Sequence, residues 1–169
     1  YYCGAEGNIR SYDTNNPWNI IAENDFIAGG FLWTGTDYIG EAGWPSHGWP
    51  AGLFDICMVE KPRAAFHRAM WNDEPMVRIA VRDNALDIDH GRDLWQWPNM
   101  AAIWNFPRAY EGLVIEVNTT TNCERVALFH NGNEMGVRRT ADYPNHTITW
   151  CLPYRRGTLV AKGINGTDT

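Results

Sequence analysis

The sequence predicts an α/β segment followed by an all-β sandwich of immunoglobulin type, and three observations predict it. The first is a nearly continuous apolar run, FIAGGFLW from Phe26 to Trp33, of the kind a parallel strand buried on both faces requires. The second is a change to period two after Pro75, where MVRIAVRD and LVIEVNT alternate apolar with polar residues. The third is Asn131-Gly132, set between two strand-like arms in ERVALFHNGNEMGVRR, the strongest short hairpin signal a sequence offers.

Taken in order, SYDTNNPWN (Ser11 to Asn19) reads as a loop, rich in the residues turns favour. Phe26 to Leu32 reads as a buried strand and GEAGWPSHGWPAG (Gly40 to Gly52) as a long loop punctuated by Gly and Pro. LFDICMV is short and apolar. Glu60 to Trp71 then reads as a helix, with Pro62 at the favoured first-turn position and Ala65, Phe66, Ala69 and Met70 on one apolar face. One strand and one helix cannot bury a parallel strand on both faces, so its neighbours are expected upstream, in a larger α/β domain. The division is expected near Pro75, giving residues 1–74 to that domain and 75–169 to a sandwich truncated at its C-terminal end. Met76 to Asp83, Leu113 to Thr119, the Glu124–Arg139 hairpin and two strands within His146 to Ile164 supply the sandwich, several short strands with no helix between them. Between the first two lies an aromatic-rich insertion, His90 to Tyr110, whose Trp95, Trp97 and Trp104 read as anchors against a neighbouring domain.

Composition narrows the function. The 169 residues carry 14 Lys plus Arg against 20 Asp plus Glu, a net charge of −6, which argues against a nucleic-acid partner. No apolar stretch reaches the roughly 18 residues of a membrane span. The chain starts at Tyr1 rather than Met and reads as a processed or excised piece, so localisation is not read from its first residues. Nine Trp, seven Tyr and six Phe exceed what a core of this size needs, and aromatic faces suit the apolar faces of sugar rings among other partners. The four cysteines, Cys3, Cys57, Cys123 and Cys151, are scattered without metal-ligand spacing, so no metal or other cofactor is expected. They read as buried free thiols, with a Cys123–Cys151 pair across a sheet as the alternative. Asn118, Asn145 and Asn165 begin N-x-Thr triplets, but each also suits a turn.

The run that begins at Phe26 ends in WTGTDYIGE, Trp33 to Glu41, and this stretch resembles the last barrel strand and following loop of the family 2 glycoside hydrolases, the β-galactosidase and β-glucuronidase relatives. The resemblance continues through IRSYDTNNPW before it and WPAGLFDICMVEKPRAAFHRAMW after it. It extends into CERVALFHNGNEMG and ITWCLPYRRGTLVAKG, which are similar to that family's immunoglobulin-like domain. It implies the end of a TIM (β/α)8 barrel followed by an immunoglobulin-like sandwich, and a retaining β-glycosidase acting on terminal β-linked sugars of oligo- or polysaccharides. In that chemistry one carboxylic acid protonates the leaving oxygen while a carboxylate about 5 Å away attacks the anomeric carbon. Both glutamates are expected upstream of Tyr1, in the barrel portion that is this chain's partner. For a bacterial source the resemblance implies the periplasm or cell exterior. The alternative is a non-catalytic carbohydrate-binding or structural module.

Among individual residues, Glu6 in GAEGN reads first as a solvated loop residue. Trp33 is the first candidate for substrate contact: at a barrel strand's C-terminal end its ring can wall the subsite of the sugar to be cleaved, or it can cap the core. The resemblance also implies a cis peptide at Trp33–Thr34. Asp37 and Glu41 can accept hydrogen bonds from sugar hydroxyls or orient catalytic groups, while Asp37 can equally cap its own loop. Trp44, His47 and Trp49 offer two aromatic faces and an imidazole on the entry side, or pack on a neighbouring domain. Glu60 and Lys61 read as a helix start with no chemistry.

Overall fold

The computed structural model describes residues 17–45, 47–82 and 100–166. Glu6, Cys3, Trp95 and Trp97 lie outside the described residues. A short helix, α1 (Pro17–Glu23), opens the described chain where the sequence reads as a loop. The correction has a local cause: Pro17 occupies the first helical turn, where its missing N–H costs nothing. Trp18 then packs edge-on against Trp71, ring centroids 5.8 Å apart, and Asn24 Nδ2 donates to the Ile20 carbonyl at 2.7 Å to close the end.

Phe26 to Leu32, expected as a buried strand, pairs with nothing among the described residues and is largely exposed. A parallel strand forms only where a neighbour supplies its ladder hydrogen bonds. Beyond it, Tyr38–Ile39 (β1) pairs antiparallel with Gly48–Trp49 (β2) in a small ribbon. LFDICMV forms no strand either: Phe54 makes isolated bridges to Thr36 and Glu60, and Asp55 Oδ1 accepts from the Cys57 and Val59 amides at 2.8 Å.

The expected helix is present as α2 (Pro62–Trp71), starting two residues later than Glu60. Its buried side includes Ala64, Ala65, Phe66, His67 and Ala69, and it packs against β3 (Val77–Arg82) and β5 (Val114–Thr121). Asn122 fixes the connector between helix and sandwich: its Oδ1 accepts from the Met76 amide, and its Nδ2 donates to the Asn72 and Glu74 carbonyls, each at 2.8 Å.

The remaining strands are β4 (Met100–Ala101), β6 (Arg125–His130), β7 (Asn133–Arg139), β8 (Thr147–Pro153) and β9 (Leu159–Ile164). They form a four-stranded antiparallel sheet, β4-β3-β5-β8, facing a three-stranded one, β7-β6-β9. The period-two segments land where alternation predicts them. Asn131 and Gly132 adopt φ 51° and 80°, the left-handed pair that a tight hairpin needs. Between the sheets lie Val81, Ile115, Val117, Val126, Leu128, Ile148 and Trp150, all buried. Each fully buried aliphatic side chain here contributes about 1.5–3 kcal/mol by leaving water.

Trp150 is held by polar contacts as well, its Nε1 donating to Thr119 Oγ1 at 2.9 Å and the Arg138 guanidinium lying 4.5 Å over its ring. Central strand β5 is buried on both faces from Val117 to Thr121, so its threonine hydroxyls are paired inside the protein: Thr120 Oγ1 lies 3.1 Å from Thr147 Oγ1, and Thr121 Oγ1 donates to the Met76 carbonyl at 2.6 Å. Asn118, in this strand, is no turn residue; it accepts from Thr149 Oγ1 at 3.0 Å. Trp104 is packed within the sandwich end, against Tyr154, Phe106 and His130, and donates to the Arg155 carbonyl at 3.0 Å. Cys57 is exposed and Cys123 is a buried free thiol, while Cys151 is disulfide-bonded. The Cys123–Cys151 pair is therefore not formed, and Cys151 is not the free thiol expected.

Candidate functional site

The stretch from Trp33 to Glu41 is a rim, irregular except where Tyr38–Ile39 forms β1, and backbone hydrogen bonds to the segment after the long loop hold it. Leu53 N–H donates to the Thr34 carbonyl at 3.2 Å, Phe54 N–H to Gly35 at 2.9 Å, and Asp37 N–H to Phe54 at 2.9 Å. The Trp33–Thr34 peptide is cis, as the resemblance implies, and so is Trp44–Pro45.

Side chains on this rim divide into two sets. Asp37 points inward. Its Oδ1 accepts from the Gly52 amide and from Lys61 Nζ, both at 2.7 Å, and Lys61 Nζ lies 2.7 Å from its Oδ2. Lys61 also donates to the Pro50 carbonyl at 2.9 Å, and buried Arg63 donates through Nε to the Gly52 carbonyl at 3.1 Å. Asp37, Lys61 and Arg63 thus clamp residues 50–52 against the rim. Gly52 is the close point of this contact: a Cβ there would meet Asp37 N at 2.2 Å and Phe54 O at 2.6 Å.

The second set faces solvent. Trp33 is 64 % exposed, and its Nε1–H donates to Tyr38 Oη at 3.4 Å. Tyr38 Oη donates in turn to Glu41 Oε2 by a short hydrogen bond. The bond to the Glu41 carboxylate raises the Tyr38 pKa above its ordinary value of 10.0, because the phenol's proton is what the carboxylate binds. Glu41 reaches back to Tyr38 because Gly40 and Glu41, at φ 102° and 51°, turn the chain sharply.

The ribbon of β1 and β2 carries the remaining candidates. Gly40 N–H donates to the His47 carbonyl at 3.2 Å, which puts Trp44 near the tip, 90 % exposed. The Trp44 and His47 rings meet edge-on with centroids 6.5 Å apart. Trp49 lies opposite Tyr38 in the ribbon, half-buried, and its Nε1 is enclosed with no acceptor among the described residues. The structure therefore gathers Trp33, Glu41, Trp44, His47 and Trp49 on one ribbon and rim, and turns Asp37 into their support.

Sequence reasoning missed Lys61 and Tyr38. Lys61 sits 24 residues from Asp37, and a helix-start reading accounts for it equally well. Tyr38 was inside WTGTDYIGE, but its role depends on a fold of the rim that brings residues 33, 38 and 41 together.

Residues 112–169, most of the sandwich, match a domain of unknown function, DUF4982. The chain is 31% identical over 156 residues to a Formosa agariphila protein provisionally named beta-glucuronidase, covering 88% of this chain and 13% of that protein. It is 27% identical over 143 residues to a beta-galactosidase of Bacteroides ovatus, covering 83% of this chain and 14% of that protein. A crystal structure of a glycosyl hydrolase family 2 member from Bacteroides cellulosilyticus superposes with a TM-score of 0.74 at 32% identity, over 88% of this chain and 21% of that one. The chain spans about an eighth of the length of the curated relatives it matches.

Proposed function

The chain belongs to glycoside hydrolase family 2, and on that premise we propose that it supplies the substrate-binding rim and an accessory sandwich to a retaining β-glycosidase that removes terminal β-linked sugars from oligo- or polysaccharides. Residues 1–74 form the end of the catalytic barrel in this reading, and 75–169 the immunoglobulin-like domain. The acid and the nucleophile are glutamates of the upstream barrel portion, so no catalytic residue is assigned here. The exposed apolar run Phe26 to Leu32 supports this division, because an unpaired stretch carrying Phe26, Phe31 and Leu32 in water is what a barrel strand looks like without its neighbours.

The observation that carries the proposal is Trp33: an indole 64 % exposed at the start of a rim whose backbone is locked from behind. A flat apolar face held in the open suits the apolar face of a pyranose, and a rigid support keeps it in register with the reacting carbon. Glu41 and Asp37 complete the proposed rim, Glu41 with an oxygen toward solvent and Asp37 from behind. Trp44, His47 and Trp49 on the ribbon extend it toward the entering polymer, and the enclosed Trp49 Nε1–H is a donor awaiting an acceptor from outside the described residues.

The test is turnover of a panel of p-nitrophenyl β-glycosides by the full-length protein, beside the same protein with Trp33→Ala. The reading predicts one preferred glycoside and at least a tenfold loss of kcat/KM in the variant, about 1.4 kcal/mol of transition-state binding. Full activity in the variant removes Trp33 from the site, and turnover of no glycoside returns the non-catalytic module to first place.

A further inference from the structure

Three side chains on the rim make a hydrogen-bond chain with a single possible polarity. The Trp33 indole N–H can only donate, so Tyr38 Oη must accept it, at 3.4 Å. The phenol's one proton is then directed to Glu41 Oε2. The Trp33 and Tyr38 rings meet edge to face at 81° with centroids 6.3 Å apart, so the contact fixes the tilt of the indole as well as the direction of its N–H. Neither partner of Trp33 is free to wander. Tyr38 is paired in the ribbon opposite Trp49, and its neighbour Asp37 is bound to Lys61 and Gly52. Glu41 is brought back by the turn at Gly40 and Glu41.

We infer that Tyr38 and Glu41 are positioning residues that hold the exposed Trp33 indole in its substrate-binding orientation. The inference rests on the reading of Trp33 as a subsite wall. An exposed tryptophan without such a tether must be ordered by the substrate, and ordering one side chain on binding weakens affinity by about threefold to tenfold. The tether moves that cost into folding. The Tyr38 pKa is raised by its hydrogen bond to Glu41, as expected of a phenol that donates to a carboxylate.

The experiment uses the full-length protein and the p-nitrophenyl β-glycoside it hydrolyses best, with Trp33→Ala, Tyr38→Phe, the Trp33→Ala/Tyr38→Phe double variant, Glu41→Ala and Glu41→Gln. Removing the phenol hydroxyl is expected to lower kcat/KM by about threefold to tenfold. Because Tyr38 acts through Trp33, the double variant falls no lower than Trp33→Ala alone, a non-additivity that general loosening of the loop does not produce. Glu41→Gln, whose amide oxygen still accepts from the phenol, recovers most of what Glu41→Ala loses. The inference is overturned if Tyr38→Phe keeps full kcat/KM while Trp33→Ala loses tenfold, and the subsite reading then survives it. Additive losses in the double variant overturn it too, by making Tyr38 act independently of Trp33. An unimpaired Trp33→Ala removes both the inference and the reading beneath it.

Discussion

Lys61 Nζ lies 2.7 Å from each carboxylate oxygen of Asp37, so a residue just before the first turn of α2 fastens the middle of the rim. Both side chains are less than a third exposed, which makes the pair costly to break from one side. Lys61→Met leaves the Asp37 carboxylate with the Gly52 amide as its remaining partner among the described residues. We expect local opening of residues 50–54 to become easier by about 2 kcal/mol, discounted from a fully buried pair for the water that still reaches it. Hydrogen exchange at the Gly52 amide reads this directly. An unchanged rate contradicts the clamp.

Gly52→Ala tests the same contact by crowding instead of deletion. The added methyl would sit 2.2 Å from Asp37 N and 2.6 Å from Phe54 O, both backbone atoms with no rotamer to change. A loss of at least about 2 kcal/mol in rim stability is expected. The substitution should also lower kcat/KM on the preferred p-nitrophenyl glycoside, and wild-type kinetics would show that the rim tolerates displacement.

His67 makes stability depend on pH. Burial on α2, and secondarily the charge of Arg63, lower its pKa from 6.5 to about 4. The unfolded chain therefore takes up this proton first as pH falls. The stability that His67 contributes as a neutral ring is complete above pH 6.5 and is lost progressively down to about pH 4. Over that window the loss is about 3 kcal/mol at most. Proton NMR titration of His67 measures the pKa itself; a value near 6.5 overturns the prediction.

Trp150→Phe removes the donor to Thr119 Oγ1, narrows the aromatic face beneath Arg138, and leaves a void between the sheets. A cost of about 2–4 kcal/mol is expected, read as a lower thermal midpoint for the transition that exposes the sandwich core. Phe129→Leu on β6 of the opposite sheet, where Lys162 Nζ lies over the ring at 5.0 Å, is the milder control, expected to cost about 1 kcal/mol.

What was legible in the sequence follows from how local each interaction is. The hairpin at Asn131-Gly132 and the strands around it were readable because turn chemistry and alternation act over a few residues. Helix α2 was readable from Pro62 and its apolar face. The run Phe26 to Leu32 reads as a strand from its apolar residues, but it takes no pairing here because a parallel strand depends on neighbours that no described residue supplies. Helix α1 was missed because Pro17, preceded by two asparagines, serves a turn and a helix start equally. Asp37 was placed at the site by its motif, but its inward direction came from Lys61, and the partnership of Trp33, Tyr38 and Glu41 came from the irregular path of the rim.

Whether Trp33 walls the sugar subsite is read from a crystal structure of the full-length protein with a β-glycoside-mimicking inhibitor bound at the mouth of the barrel. The Trp33 indole is expected to lie against the apolar face of the sugar at about 4 Å, with its Nε1 still directed to Tyr38. An indole turned away from the sugar, or a ligand seated without contact to the rim between Trp33 and Glu41, would contradict it.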